Sequence, residues 1–126
     1  MTTPEGKLKK ECDKLLKEFS QVLPMFYFKT HGGKYQTPGL PDYIICIAGF
    51  FHGIELKANE GTLTMLQLAV AKQISSAGGR YIVIREAIEI ENFLKNIFEL
   101  MKNFERETHE TKLLHALSTH VVEKKH

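Results

Sequence analysis

Apolar residues recur at three- and four-residue intervals early in the chain, at Leu8, Cys12, Leu15, Leu16 and Phe19. That spacing draws one apolar stripe along a helix. Thr3-Pro4-Glu5 supplies a capping hydroxyl, a first-turn proline and an early acid to start it. The helix is predicted to run to about Phe19, and Pro24 closes the region. The pattern then changes. Met25 to Thr30 is short, aromatic and apolar, as a strand requires. Residues 31–41 carry Gly32, Gly33, Pro38, Gly39 and Pro41, which exclude regular structure. Asp42 to Ala48 and Phe51 to Lys57 read as second and third strands. Gly49-Phe50 between them suits a two-residue type II′ hairpin turn.

Thr64 opens a second helix that the Gly78-Gly79 pair stops. Arg80 to Arg85 is a fourth strand, reached from the third by that helical crossover. Such a crossover makes the two strands parallel. A third helix is predicted over 86–105, followed by a polar stretch (ERETHET) and a short final helix around Leu113, Leu114, Leu117 and Val121. The predicted fold class is α/β. It has a helix, three strands, a helix and a strand forming a mixed four-stranded sheet, plus C-terminal helices. The core is expected over residues 1–90 and a helical extension over 91–126, packing on the core or in a dimer interface.

Bulk properties narrow this only a little. The 126 residues are one domain's worth, 43% hydrophobic and 25% charged. No apolar run approaches the twenty residues a membrane helix needs. The N-terminus lacks the apolar core of a signal peptide, so a cytoplasmic location is expected. The net charge of +2 permits a nucleic-acid partner without demanding one. Cys12 and Cys46 have no CxxC spacing and are expected to be buried, reduced thiols. No Walker loop or GxGxxG is present, so no nucleotide cofactor is expected.

The hairpin carries the candidate chemistry. With Gly49-Phe50 as its turn, Asp42 lies opposite Lys57 and Ile44 opposite Glu55. Residues two apart on a strand share a face, so Asp42, Glu55 and Lys57 project to one side. Two neighbouring carboxylates repel unless a cation intervenes. A hard ion such as Mg²⁺ takes oxygen ligands, and Asp42, Glu55 and the Leu56 backbone carbonyl would supply three. A lysine beside the ion could orient a water, accept its proton or steady charge on phosphorus. The parts suit metal-assisted phosphodiester hydrolysis. The plainer alternative is a cross-strand Asp42–Lys57 salt bridge with Glu55 solvated.

Gly39-Leu40-Pro41-Asp42, thirteen residues before Glu55 and followed by Glu55-Leu56-Lys57, resembles the PD…ExK signature of PD-(D/E)XK nucleases. The continuation ELKANEGTLTMLQ is similar to the VRR-NUC branch, in which a Gln stands ten residues past the Lys, as Gln67 does here. The resemblance spans roughly residues 3 to 90. It implies that Asp42 and Glu55 bind Mg²⁺ or Mn²⁺, that Lys57 is the catalytic lysine, and that Gln67 supports the site. Gln67 also completes a Thr64-x-x-Gln capping box, which would explain it equally. The family's first-helix glutamate maps best to Glu5, with Glu11 the weaker candidate. An acid in a first helical turn is favoured by the helix dipole alone.

The segment from Lys29 into the glycine-containing loop is the expected nucleic-acid contact. Lys29, His31 and Lys34 would hold phosphates, and Tyr35 would stack on a base. His31 is not expected to be a metal ligand, and His109, His115, His120 and His126 lack zinc spacing. Free-standing relatives of this size resemble phage-type enzymes. That implies a homodimer acting on branched DNA, Holliday junctions above all, in a bacterial or phage-infected cell. A two-fold dimer matches a two-fold substrate. Phe93, Ile97, Phe98, Leu113, Leu114 and Leu117 are candidates for the dimer contact, and an intramolecular cap on the sheet is the alternative. A non-catalytic nucleic-acid- or partner-binding module on the same fold is the competing function.

Overall fold

A computed structural model of the chain describes residues 3–30 and 37–124. Helix α1 (Pro4–Phe19) starts where the sequence says, with the Thr3 hydroxyl accepting from Gly6 N at 3.0 Å. Strands β1 (Met25–Lys29), β2 (Tyr43–Ile47) and β3 (Phe50–Leu56) follow. Helix α2 (Met65–Ser76) and strand β4 (Arg80–Ile84) complete the core order. The sheet order is β1-β2-β3-β4. The first two pairings are antiparallel and β3–β4 is parallel, so the sheet is mixed, as expected of an α/β crossover.

One sheet face carries Tyr43, Ile45, Ile47, Ile54 and Leu56, all essentially inaccessible to solvent. Leu8, Cys12 and Leu16 bury the apolar stripe of α1, whose residues Lys9 and Asp13 receive the Tyr43 hydroxyl. Burying each such aliphatic side chain contributes roughly 1.5–3 kcal/mol, which makes this layer the main source of stability. On the opposite face α2 comes close at glycines. A Cβ at Gly53 would stand 3.4 Å from Ile74 Cδ1, and one at Gly79 would stand 3.0 Å from Ile74 Cγ2.

Three expectations are corrected. The β2–β3 turn is Ala48-Gly49, both with positive φ, so it is of type I′ rather than II′. Ile47 pairs with Phe50 and Tyr43 with Ile54, which slides β3 by two residues and sets Asp42 opposite Glu55 instead of Lys57. A two-residue slide keeps every side chain on its face, so the predicted grouping survives. Next, the C-terminal region is one helix, α3 (Ala87–Lys124). Residues 105–111 are polar but contain neither Gly nor Pro, so nothing in them stops a helix. Finally, Cys46 is exposed while Cys12 is buried. Cys46 sits between Phe26 and Phe51 on the α2 side of the sheet, where the neighbouring rings are also exposed, Phe26 by 71%.

The chain divides into two compact units, Met1–Asn92 and Phe93–His126. The first holds the sheet, α1 and α2, and the second is helical. Among the described residues, no helix is long and apolar enough to cross a membrane.

Candidate active site

Asp42 stands one residue before β2 and Glu55 one residue before the end of β3. The backbone fixes Asp42 from two directions. Its carbonyl accepts from Thr30 N at 2.9 Å, and its Oδ2 accepts from Leu56 N at 2.7 Å. The Thr30 hydroxyl also donates to the Pro41 carbonyl, so the end of β1 is tied to the same corner. Asp42 therefore takes a backbone hydrogen bond from β3, where the sequence alternative had a salt bridge to Lys57.

Glu55 is only 4% exposed. Its Oε1 accepts from Gln67 Nε2 at 3.0 Å, while Oε2 is buried without a partner among the described residues. Burial chiefly, and then the neighbouring Asp42 carboxylate, push the Glu55 carboxyl up to about 7. Lys57 pulls the other way, and Glu5 adds a smaller upward push. A buried carboxylate beside another, with one oxygen unclaimed, is an anionic site short of a counter-charge. The donor set of two carboxylates and nearby backbone oxygen fits a hard divalent cation. No group of three or more His, Cys, Asp or Glu side chains among the described residues is placed to hold a metal ion by itself, so any such ion would need backbone and solvent oxygens as well.

Gln67 closes the capping box and also reaches Glu55. Its Oε1 accepts from Thr64 N at 2.9 Å, its own N–H donates to the Thr64 hydroxyl at 3.1 Å, and its amide nitrogen still reaches Glu55. The capping box thus orients the amide that holds the carboxylate.

Lys57 leaves β3 beside the glycine turn, its Cδ 3.5 Å from where a Cβ on Gly61 would lie. Arg85 pins that turn by donating to the Asn59 carbonyl at 3.1 Å and the Gly61 carbonyl at 2.7 Å. Glu5 lines a cleft of about 290 Å³ together with Thr3, Gly6, Lys9, Asp42 and Leu56. Glu11, the other candidate on α1, does not line it.

Lys29 is not gathered with these residues. It pairs with Tyr43, on the sheet face opposite Asp42 and Glu55, and its ammonium lies 2.6 Å from Asp13. Strand alternation sends it there. His31, Lys34 and Tyr35 lie outside the described residues. Sequence reasoning missed Asp13, Arg85 and Tyr81. Asp13 and Arg85 act through contacts between distant segments that no local pattern announces. Tyr81 pairs with Gly53 and shares the face of Glu55, a relation legible only once the β3–β4 register is known.

A solved structure described as a VRR_NUC domain aligns with 74% of this chain and 96% of its own, with a TM-score of 0.58 and 18% identity. The chain has the VRR_NUC fold. At that identity the likeness is one of architecture alone. No family model matches the sequence, and no curated protein matches it. In this VRR_NUC fold Asp42, Glu55, Lys57 and Gln67 come together at one corner of the sheet, with Glu5 across the adjoining cleft.

Proposed function

We propose that the chain is a member of the VRR-NUC family that hydrolyses DNA phosphodiester bonds with a divalent metal. The observation that carries this reading is the unclaimed Oε2 of Glu55, buried next to Asp42 on a nuclease fold. Asp42, Glu55 and the Leu56 carbonyl would hold Mg²⁺ or Mn²⁺. Such an ion, when bound, supplies Lewis-acid polarisation of the scissile phosphate and a more acidic water. Gln67 holds Glu55 in place, and Leu56 N–H holds Asp42, so neither carboxylate must reorganise on binding. Lys57 accepts a proton from the attacking water or steadies the charge developing on phosphorus. Glu5 supports the site from the rim of the cleft.

The finer reading is a structure-specific endonuclease that works as a homodimer on branched DNA, a Holliday-junction resolvase of phage type in the cytoplasm of its host. Lys34, His31 and Tyr35 would contact phosphates and a base. A single small domain offers little surface for reading base edges, which favours recognition by shape. Of the α3 residues expected at the dimer contact, Leu113, Leu114 and Leu117 are exposed in the single chain and Phe93, Ile97 and Phe98 are half-buried; Leu100 and Phe104 add exposed apolar surface on the same helix.

Cleavage of end-labelled DNA tests both levels. The panel holds a four-way junction, a 5′ flap, a splayed arm, a linear duplex and a single strand, with Mg²⁺ or Mn²⁺ and Lys57→Ala in parallel. Paired symmetric nicks in the junction, absent with the mutant, support the resolvase. Cutting of flaps or single strands keeps the nuclease and discards the resolvase. No cutting of any substrate removes the catalytic reading in favour of a nucleic-acid- or partner-binding module.

A further inference from the structure

Two buried side-chain oxygens have no hydrogen-bond partner among the described residues, Glu55 Oε2 and the Tyr81 hydroxyl. They belong to the same corner of the molecule. Strand β4 runs parallel to β3 with Gly53 opposite Tyr81 and Glu55 opposite Val83. Tyr81 therefore lies one diagonal step from Glu55 on the neighbouring strand, with both side chains on the face that α2 approaches. Burial drives the Tyr81 phenol well above its ordinary range, and the charges of Glu55 and then Asp42 add to the shift.

The two orphans are chemically complementary. A phenol is a donor and a carboxylate oxygen an acceptor, yet they do not bond directly. An unpaired buried polar group is costly, and native structures resolve such pairs with ordered water that makes two or more hydrogen bonds. We propose that Tyr81 is a positioning residue of this site, its hydroxyl donating to a bound water that in turn donates to Glu55 Oε2. The bridge fixes Oε2 of Glu55, as the Gln67 amide fixes Oε1. Tyr81 thereby completes the set of groups that hold the carboxylate, and the second lone pair of Oε2 stays open to a cation. This role deepens the metal-dependent reading and rests on it only for the cation, since the water needs no catalysis.

The test is a crystal structure of the wild-type protein and of Tyr81→Phe, joined to titration of each with Mn²⁺ alone by calorimetry. The proposal expects a water within hydrogen-bond distance of both oxygens in the wild type, and its loss in the variant. It also expects Mn²⁺ affinity to fall about tenfold in Tyr81→Phe, the usual scale for removing an outer support of a metal ligand. Melting temperature supplies a control. Phenylalanine fills the same space, so a merely unsatisfied phenol would leave a variant as stable as the wild type or more so, whereas loss of a bridge lowers it. A dry gap between the oxygens, or a water touching only one of them, overturns the proposal. So does an unchanged Mn²⁺ affinity in a variant that has lost the water. If the wild type binds no Mn²⁺ while the bridge is present and its loss lowers the melting temperature, the bridge stands and the metal-dependent reading falls.

Discussion

Gln67 donates to Glu55 across the gap between α2 and β3 at 3.0 Å, using the same amide whose oxygen closes the capping box with Thr64. One side chain thus couples the start of a helix to the orientation of a buried carboxylate. The helix cannot begin one residue earlier or later without moving the donor away from Glu55. Local capping chemistry and the site are in this sense a single device.

Replacing Gln67 separates its two roles. In Gln67→Glu the new carboxylate can still accept from Thr64 N, so the capping box persists, but it has no hydrogen to give Glu55 and repels it. In Gln67→Ala both roles go. Gln67→Ala should lose about 1 kcal/mol for the cap and about 1–3 kcal/mol more for the buried Glu55 oxygen left without its donor. Gln67→Glu should keep the cap and instead lose stability selectively above neutral pH. Both should lower cleavage about 10- to 100-fold. Denaturation at pH 5 and pH 8.5, set beside cleavage rates, distinguishes the two.

Glu55 makes the metal-free protein sensitive to pH. Its folded pKa of about 7 lies above the ordinary 4.5. The folded state therefore takes up a proton more readily than the unfolded state between those values. This group's contribution to stability is fully present below about 4.5 and is lost as pH rises through about 7. Glu55→Gln removes the ionisation and should melt about 5 °C or more higher than the wild type at pH 8.5 without metal. The advantage should shrink towards zero near pH 4.5. Added Mn²⁺ should reverse the order at high pH, because only the wild type would then bind it. A Glu55→Gln protein that gained nothing at pH 8.5 would show that Glu55 is not ionised at a cost in the fold.

The hydrophobic periodicity of α1 and the glycine stop after α2 made those elements readable, because both are local. The face shared by Asp42, Glu55 and Lys57 was readable for a similar reason: strand alternation does not depend on where the turn falls. The turn itself was not. Gly49 fits the first central position of one turn type and the second of another. Choosing the second forces Ala48 into a positive φ, a conformation its own side chain disfavours. Close approach at Gly53 accompanies the observed register, since a Cβ there would stand 2.7 Å from Pro41 Cγ. That contact joins two segments twelve residues apart, and no local pattern announces it. Lys29 lies on the α1 face beside Asp13, an alternation that its proximity in sequence to the glycine loop hid.

Arg85 should govern the lysine without touching the carboxylates. Its guanidinium holds the carbonyls of Asn59 and Gly61, in the turn against which Lys57 runs. Arg85→Ala frees both carbonyls to water at an exposed position, so the global stability loss should be about 1 kcal/mol or less. Lys57 would lose its fixed backdrop. Cleavage should therefore fall about tenfold, with Mn²⁺ affinity unchanged, since Asp42 and Glu55 keep their own supports. Faster amide exchange confined to residues 58–62 would locate the effect. Equal loss of cleavage and of Mn²⁺ binding would instead mean that the arginine holds the whole corner.

Asp42 and Lys57 should fail in different ways, and the difference separates ion binding from chemistry. Asp42→Asn keeps an oxygen that can accept from Leu56 N, so the hairpin end should stay closed. It removes one of the two carboxylate charges. Lys57→Ala leaves both carboxylates and removes a positive charge whose field lowers the Glu55 pKa. Wild-type protein at a Mn²⁺ concentration 100 times its dissociation constant gains about 2.7 kcal/mol of stability. Asp42→Asn should lose most of that gain, and cleavage with it. Lys57→Ala should keep the Mn²⁺-dependent rise in melting temperature, because an ion would replace the charge the lysine supplied. Its cleavage should nonetheless fall by about 10²-fold or more, the scale of a lost proton-transfer or charge-stabilising group. If Lys57→Ala instead cut DNA at the wild-type rate, the lysine would be a charge partner for Glu55 and nothing more. The attacking water would then have to lose its proton to another group or to solvent.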